Sequence, residues 1–369
     1  MKPGKKGLLL FGVSFVSVVV VIVGLEIGTR ILRPGVKFVH YMKPSRLFNH
    51  GYTPNFDGKY TGPEGYEFRQ KMNAFGLNQY KRVVVPKPEN IYRVLIVGDS
   101  FIAGLGNITV PNIIGDWVKL RVAGDNRIVE IVNAGQSSYS PILHIARFKH
   151  QLQKLEPDAI IFFPDLTDVY DDWHRYRKYA VFDKNGMVVR VNPSTRLLKY
   201  WENMEEAGYS SWYSFFAKYI YRRFFSKSLK RLAGKSGEER IFQHAQVEKD
   251  AVTKKAMTQI MYSVSNISNY LELLESKQIH VSVAIYPHLP QITGKFNRLY
   301  EQEIRKLSFR KKIPFKSFFK EIATEINLGR KLYFKGDIHF SNIGLGVLGR
   351  YVKKWIAKDP VAALGIKFK

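Results

Sequence analysis

The chain has 369 residues, 45% of them hydrophobic, with 58 Lys and Arg against 31 Asp and Glu and no cysteine. The missing cysteines exclude disulfides, thiolate catalysis and Cys-based zinc or iron–sulfur sites, and the apolar content excludes a wholly disordered chain. The net charge of +27 points to anionic partners such as headgroups or an acidic polymer, and nucleic acid is not expected because no zinc-finger or RNA-binding signature accompanies it.

The first expected element is an anchor. Residues 7–25 carry no charge. At about 1.5 Å per helical residue such a run nearly spans a ~30 Å hydrocarbon core. A signal peptide would have a shorter apolar region and a small-residue cleavage site. Residues 1–33 are therefore read as a cytoplasmic tail and uncleaved transmembrane helix, with membrane contact through 7–28. Lys2, Lys5 and Lys6 are nearly balanced by Arg30, Arg33 and Lys37. The short leading tail favours the N-terminus inside and the main domain outside the cytoplasm, on the periplasmic side in a Gram-negative cell.

Residues 34–90 are rich in Gly, Pro, Asn and Tyr and read as a stalk packing on the domain. From residue 91 strands alternate with helices. Strands are expected at 93–97, 128–132, 159–163, 280–286 and 313–315. Helices are expected near 110–122, 140–155, 245–277, 296–311, 317–326 and 342–357. This alternation predicts an α/β domain over 91–369, its mostly parallel sheet covered on both faces. An α-rich insertion at 172–245 interrupts it. It opens with a hairpin whose turn is Asp183-Lys184-Asn185-Gly186. It continues with Trp212, Phe215, Phe216, Tyr219 and Ile220 on one helical stripe, among basic residues from Lys218 to Lys235. The 212–232 helix is either an interfacial or lid element or an ordinary half-buried helix.

Ligands of open parallel sheets sit outside the carboxyl ends of the strands. The first strand ends in Gly98-Asp99-Ser100, the second leads to Asn133-Ala134-Gly135, and the third to Thr167 and Asp168. A serine at such a corner is placed as a nucleophile, and it needs a base. Near the C-terminus Asp337 and His339 share a polar turn before the last helix. His339 is suited to take the serine proton and Asp337 to orient the imidazole. Each residue also has a plainer reading. Ser100 suits a helix cap, Asp99 a turn hydrogen bond, and His339 a surface turn. His144, His174 and His288 lack partners at ligand spacing, so no metal is expected. Asp171 and Asp172 beside His174 read as a solvated acidic loop. Gly104 and Gly106 make no dinucleotide fingerprint.

In order, these four stretches resemble the blocks of the SGNH/GDSL hydrolase superfamily, and the anchored layout resembles its membrane-bound bacterial members. The resemblance covers about 92–356, broken by the insertion. It implies a flavodoxin-like, three-layer α/β/α fold and an esterase or O-acyltransferase without cofactor. Ser100, His339 and Asp337 would form the triad. The N–H groups of Ser100 and Gly135 would form part of the oxyanion hole, with the Thr167 hydroxyl as a further donor and Asp99 and Asp168 in support. The implied substrate is an ester-bearing small molecule or a surface glycan, with envelope-biosynthesis proteins as partners. Two features depart from the family pattern. Thr167 stands where the family has an oxyanion-donating Asn, and the Asp337-x-His339 spacing is one residue short of the usual one, though related alginate-type O-acetyltransferases share it. The Thr167 departure raises a second reading, an SGNH fold that has lost catalysis and serves as a binding or assembly subunit of a surface-polymer machine.

Overall fold

The computed structural model describes residues 3–32, 41–61, 67–79, 81–104, 106, 108–115, 122, 124, 127–195, 197–198, 254–294 and 296–368. The chain divides into two units, Met1–Val39 with Leu198–Ser236, and His40–Leu197 with Gly237–Lys369.

In the first unit the described element is helix α1, Pro3–Leu32. Its described side chains, residues 12–28, include exposed Val13, Phe15, Val20 and Ile22. Among the described residues no helix is long and apolar enough to cross a membrane. The side chains of 7–11, where the expected span begins, lie outside those described. So does the expected helix at 212–232.

The second unit is built on five strands. They are β5 (Ile91–Gly98), β6 (Ile128–Asn133), β7 (Ala159–Phe163), β10 (His280–Ile285) and β11 (Phe315–Ser317). Their order across the sheet is β11-β10-β7-β5-β6, and every pairing is parallel. Numbered along the chain this is the 2-1-3-4-5 order of flavodoxin-like sheets. The sheet is wholly rather than mostly parallel. Successive β5 side chains face opposite ways, as the strand period requires. Leu95 and Val97 enter a core with α4 (Pro141–His150), α5 (Lys254–Glu275) and α6 (Leu299–Arg310). Val94 and Ile96 enter another, with α2 (Ser100–Ala103), α3 (Val110–Gly115) and α8 (Asn342–Lys358). Both faces are thus covered, giving three layers. Helix α7 (Phe319–Asn327) adds Ile322 to the second core. Within the sheet, fully buried Arg93 donates to Glu130 at 2.5 Å, Leu155 O at 2.6 Å and Val84 O at 2.9 Å, so its charge and donors are satisfied.

Two expectations are corrected. The last strand begins at Phe315 rather than at 313. Pro314 has no N–H to give a ladder, and Ile313 N–H donates instead to Ser308 O at the end of α6. Within the stretch read as a stalk, the described residues 41–61 and 67–71 contain strands. They form two antiparallel pairs, β1 (Met42–Ser45) with β2 (Asn49–Tyr52) and β3 (Asp57–Thr61) with β4 (Glu67–Lys71). Strand β2 is buried throughout, so it has no apolar–polar alternation to read. Its polar side chains are satisfied in place, Asn49 by Asn192 O at 2.7 Å and His50 by Ser137 O at 3.0 Å. At the start of the insertion, β8 (Ala180–Phe182) and β9 (Val188–Val191) form the expected hairpin, with Gly186 N–H closing the turn on Asp183 O.

Candidate active site

Strand β5 runs buried to Gly98 and hands the chain to the short helix α2. Asp99 caps that helix by accepting the Phe101 N–H at 2.9 Å. The cap reading predicted for Ser100 therefore falls on its neighbour, and Ser100 is the first helical residue. Its N–H has no intrahelical acceptor for that reason. Gly135, in the loop after β6, lies against α2 so closely that a Cβ there would sit 2.3 Å from Ala103 N. Only glycine admits that approach.

The other half comes from the loop between α7 and α8. A bridge between Tyr333 and Phe340 closes it, with Phe334 N–H on His339 O and Ser341 N–H on Leu332 O. Ser341 then caps α8 by accepting Gly344 N–H at 3.2 Å. Closed at its base, the loop presents Asp337 and His339 on one rim.

The structure brings together Ser100, His339 and Asp337. Ser100 Oγ is 2.8 Å from His339 Nε2, and His339 Nδ1 is 2.5 Å from Asp337 Oδ1. Asp337 also accepts the His339 backbone N–H at 2.9 Å. One residue between them is enough because the carboxylate grips both the ring and the backbone of the same histidine. Burial pushes the Asp337 carboxyl up, but the hydrogen bonds and charge of His339 outweigh it and hold it below the usual range. An ionised Asp337 fixes the tautomer with hydrogen on Nδ1, which leaves Nε2 as an acceptor for the Ser100 proton.

Two expected oxyanion donors are engaged elsewhere. Gly135 N–H donates to Asn133 Oδ1 at 3.0 Å. The Thr167 hydroxyl donates to Asp165 Oδ1 at 2.6 Å, beside the Thr167 N–H at 2.9 Å. A hydroxyl carries one proton, so Thr167 closes the turn before the Asp168–Tyr170 helical turn rather than offering a donor. Asp168 is buried and accepts Asp165 N–H at 3.0 Å, a role inside the loop.

Behind Ser100 lies a buried polar cluster that the sequence reading missed. His288 Nε2 is 3.0 Å from Asp165 Oδ2, and neither side chain is exposed. The Tyr286 hydroxyl donates to Asp99 Oδ1 at 2.9 Å and lies 3.3 Å from Asp165 Oδ2. Burial raises the Asp165 carboxyl, but His288 and Thr167 more than reverse it, so Asp165 is held below the usual range. Burial and the Asp165 charge push Asp99 well above it, and burial with Asp165 and Asp172 does the same to Asp168. Tyr286 and His288 follow strand β10, so the carboxyl-end rule applied to that strand would have found them. Asp171 and Asp172 are likewise buried, not solvated. Asp172 joins α4 to α5 by accepting Ile142 N–H at 3.1 Å and Asn266 Nδ2–H at 3.0 Å. Among the described residues no group of three or more His, Asp or Glu side chains is arranged to hold a metal ion.

Tyr52, Asn78 and Gln79 tie into this corner. Gln79 Oε1 accepts Asn133 N–H at 2.8 Å, Asn78 Nδ2 donates to Ala103 O at 2.7 Å, and Tyr52 OH bonds Ser137 Oγ at 2.8 Å.

No family model and no curated protein matches the chain. Among solved structures it is similar to a lipase/acylhydrolase from Enterococcus faecalis, at 10% identity over 75% of this chain and 98% of that one, with a TM-score of 0.41. It is also similar to a catalytic mutant of an acetylxylan esterase from Geobacillus stearothermophilus, at 11% identity over 72% and 93%, with a TM-score of 0.37. At such identities and scores the functional reading rests on the geometry of the site itself.

Proposed function

We propose that this protein is a serine esterase or O-acyltransferase of the SGNH type, held at a membrane by its N-terminal helix. The observation that carries the reading is the Ser100–His339–Asp337 chain, with 2.8 and 2.5 Å links between residues far apart in sequence. Ser100 Oγ attacks an ester carbonyl while His339 Nε2 takes its proton. The C–O bond to the alcohol then breaks, and His339 returns the proton to the leaving oxygen. The acyl group remains on Ser100 until water or a sugar hydroxyl, deprotonated by the same imidazole, removes it. The exposed apolar side chains of α1 and the uncharged run at 7–25 support an anchor. The charge of +27 supports an acidic glycan or polymer outside the cytoplasm as the acyl-bearing partner. The test is pre-steady-state hydrolysis of p-nitrophenyl acetate. A stoichiometric burst from the wild type and none from Ser100→Ala is expected, and a burst that survives the substitution refutes the reading.

One observation favours the non-catalytic reading. Gly135 N–H and the Thr167 hydroxyl, two donors an oxyanion would need, are bound to acceptors inside the protein. If binding is the role, Ser100→Ala and His339→Ala will both restore full function to cells lacking the protein.

A further inference from the structure

Ser100 Oγ has a second neighbour. Asp99 Oδ2 lies 3.2 Å from it, on a side chain that is 5% exposed. The two Asp99 oxygens are used differently. Oδ1 accepts two hydrogen bonds, from Phe101 N–H and the Tyr286 hydroxyl, both at 2.9 Å. Among the described residues Oδ2 has Ser100 as its hydrogen-bond neighbour and no N–H donor. A carboxylate offers acceptors on both oxygens, whereas a carboxylic acid accepts at its carbonyl oxygen and donates from its hydroxyl. The Ser100 hydroxyl has one proton, which can serve either Asp99 Oδ2 or His339 Nε2; with that proton on Nε2, the 3.2 Å contact to Oδ2 is a hydrogen bond only if Oδ2 carries a proton, as in the acid.

We propose that Asp99 stands as a neutral carboxylic acid whose Oδ2–H donates to Ser100 Oγ, so that the serine proton is directed to His339. Asp99 is then a positioning residue acting through Ser100. The inference rests on Ser100 being the nucleophile. An ionised Asp99 would compete with His339 for the same proton. It would also set a negative charge beside the oxyanion that forms on attack, which a buried site screens poorly.

The groups around Asp99 favour the neutral form. Tyr286 at the end of β10 donates to it, and Tyr52 of β2 lies within electrostatic range. The loop after β7 brings Asp165 and Asp168 toward it. His288 bonds Asp165 rather than Asp99, and His339 reaches Asp99 only through Ser100. Burial pushes the Asp99 carboxyl up, and the negative charge on Asp165 adds to it. His288 therefore assists Ser100 indirectly, by keeping Asp165 ionised next to Asp99.

The experiment compares Asp99→Asn and Asp99→Leu with the wild type in the full-length, detergent-solubilised chain. The first readout is the rate of Ser100 labelling by a fluorophosphonate across pH. The second is the infrared difference spectrum between wild type and Asp99→Asn at neutral pH. An asparagine amide accepts at Oδ1 and donates from Nδ2, as the acid does. Asp99→Asn should therefore stay within about tenfold of wild type at neutral pH, the scale of one altered hydrogen bond. Asp99→Leu, with no donor, should fall by about a hundredfold or more, as when an activating polar contact is lost. Labelling of the wild type should decline at alkaline pH as Asp99 ionises, and the decline should vanish in Asp99→Asn. A purely structural Asp99 predicts no such change in the pH profile. The difference spectrum should contain the carbonyl stretch of a protonated acid. A carboxylate signature in its place, or an alkaline decline that persists in Asp99→Asn, overturns the proposal. If wild-type Ser100 takes no label at any pH, the esterase reading fails, and the infrared spectrum still decides the protonation state.

Discussion

Two histidine–carboxylate pairs pack against one aromatic ring. His339 and Asp337 are 2.5 Å apart, with side chains 34% and 31% exposed. His288 and Asp165 are 3.0 Å apart and wholly buried. Phe101 contacts both imidazoles, its centroid 5.2 Å from His339 and 5.0 Å from His288. The chemistry of the two pairs is the same and their surroundings are not. The outer pair touches the Ser100 hydroxyl and solvent, so its proton can move during a reaction. The inner pair is closed to solvent and meets Asp99, the residue before Ser100, through Tyr286. Exposure, not residue type, separates a proton carrier from a support.

The comparison breaks most visibly at the outer pair. His339→Ala should lower ester turnover by about three to four orders of magnitude, the upper range for loss of a general base, and leave stability nearly unchanged. Turnover and denaturant unfolding measured on the same preparation check both halves. At the inner pair the expectation reverses. Asp165→Asn leaves His288 without its carboxylate in a buried site and should cost about 3–5 kcal/mol of stability, read from the unfolding midpoint. Equal damage to turnover and none to stability would show that the inner pair also moves protons.

A third substitution tests how far burial sets the inner region's charge. Burial pushes the Asp172 carboxyl up to about 6, against its hydrogen bonds, from an ordinary value near 3.8. Its folded value is raised, so its contribution is fully present below the unfolded value. It is lost as the pH rises through the folded one. Relative to wild type, Asp172→Asn should therefore gain about 1.4 kcal/mol per pH unit from roughly pH 4 to 6 and level off above. Urea unfolding across that range measures it, and a flat difference contradicts a carboxyl raised by burial at Asp172. The smallest effect belongs to Thr167→Val. Its hydroxyl serves Asp165, so about 1 kcal/mol of stability should be lost. Turnover should change less than about tenfold, where removal of an oxyanion donor costs a hundredfold or more.

Most of the sheet is legible in the sequence because its strands are short apolar runs bounded by polar turns. All five core strands fall within two residues of the expected positions, the fifth displaced by two at both ends. The fifth shifts because Pro314 and the end of α6 set its start, a tertiary constraint that apolarity alone does not carry. The Ser100, His339 and Asp337 convergence is legible for a related reason. Ser100 follows a strand of the parallel sheet, where polar groups are exposed, and Asp337 and His339 lie in the polar turn before the last long helix. The inner cluster was not. Asp171 and Asp172 look like solvated acids in a basic chain, and only their packing, such as the bonds of Asp172 to α4 and α5, reveals them as buried. The fate of Gly135 N–H and the Thr167 hydroxyl was hidden too, because side chains two residues away, Asn133 and Asp165, take those protons locally.

The central claim is that Ser100 becomes acylated. Rapid quenching of the full-length protein with an activated ester, followed by intact-mass and peptide analysis, tests it most directly. The account predicts one acyl group on the peptide bearing Ser100, absent in Ser100→Ala and formed far more slowly in His339→Ala. An unmodified Ser100 across several acyl lengths, or an adduct mapped to a different residue, would contradict it.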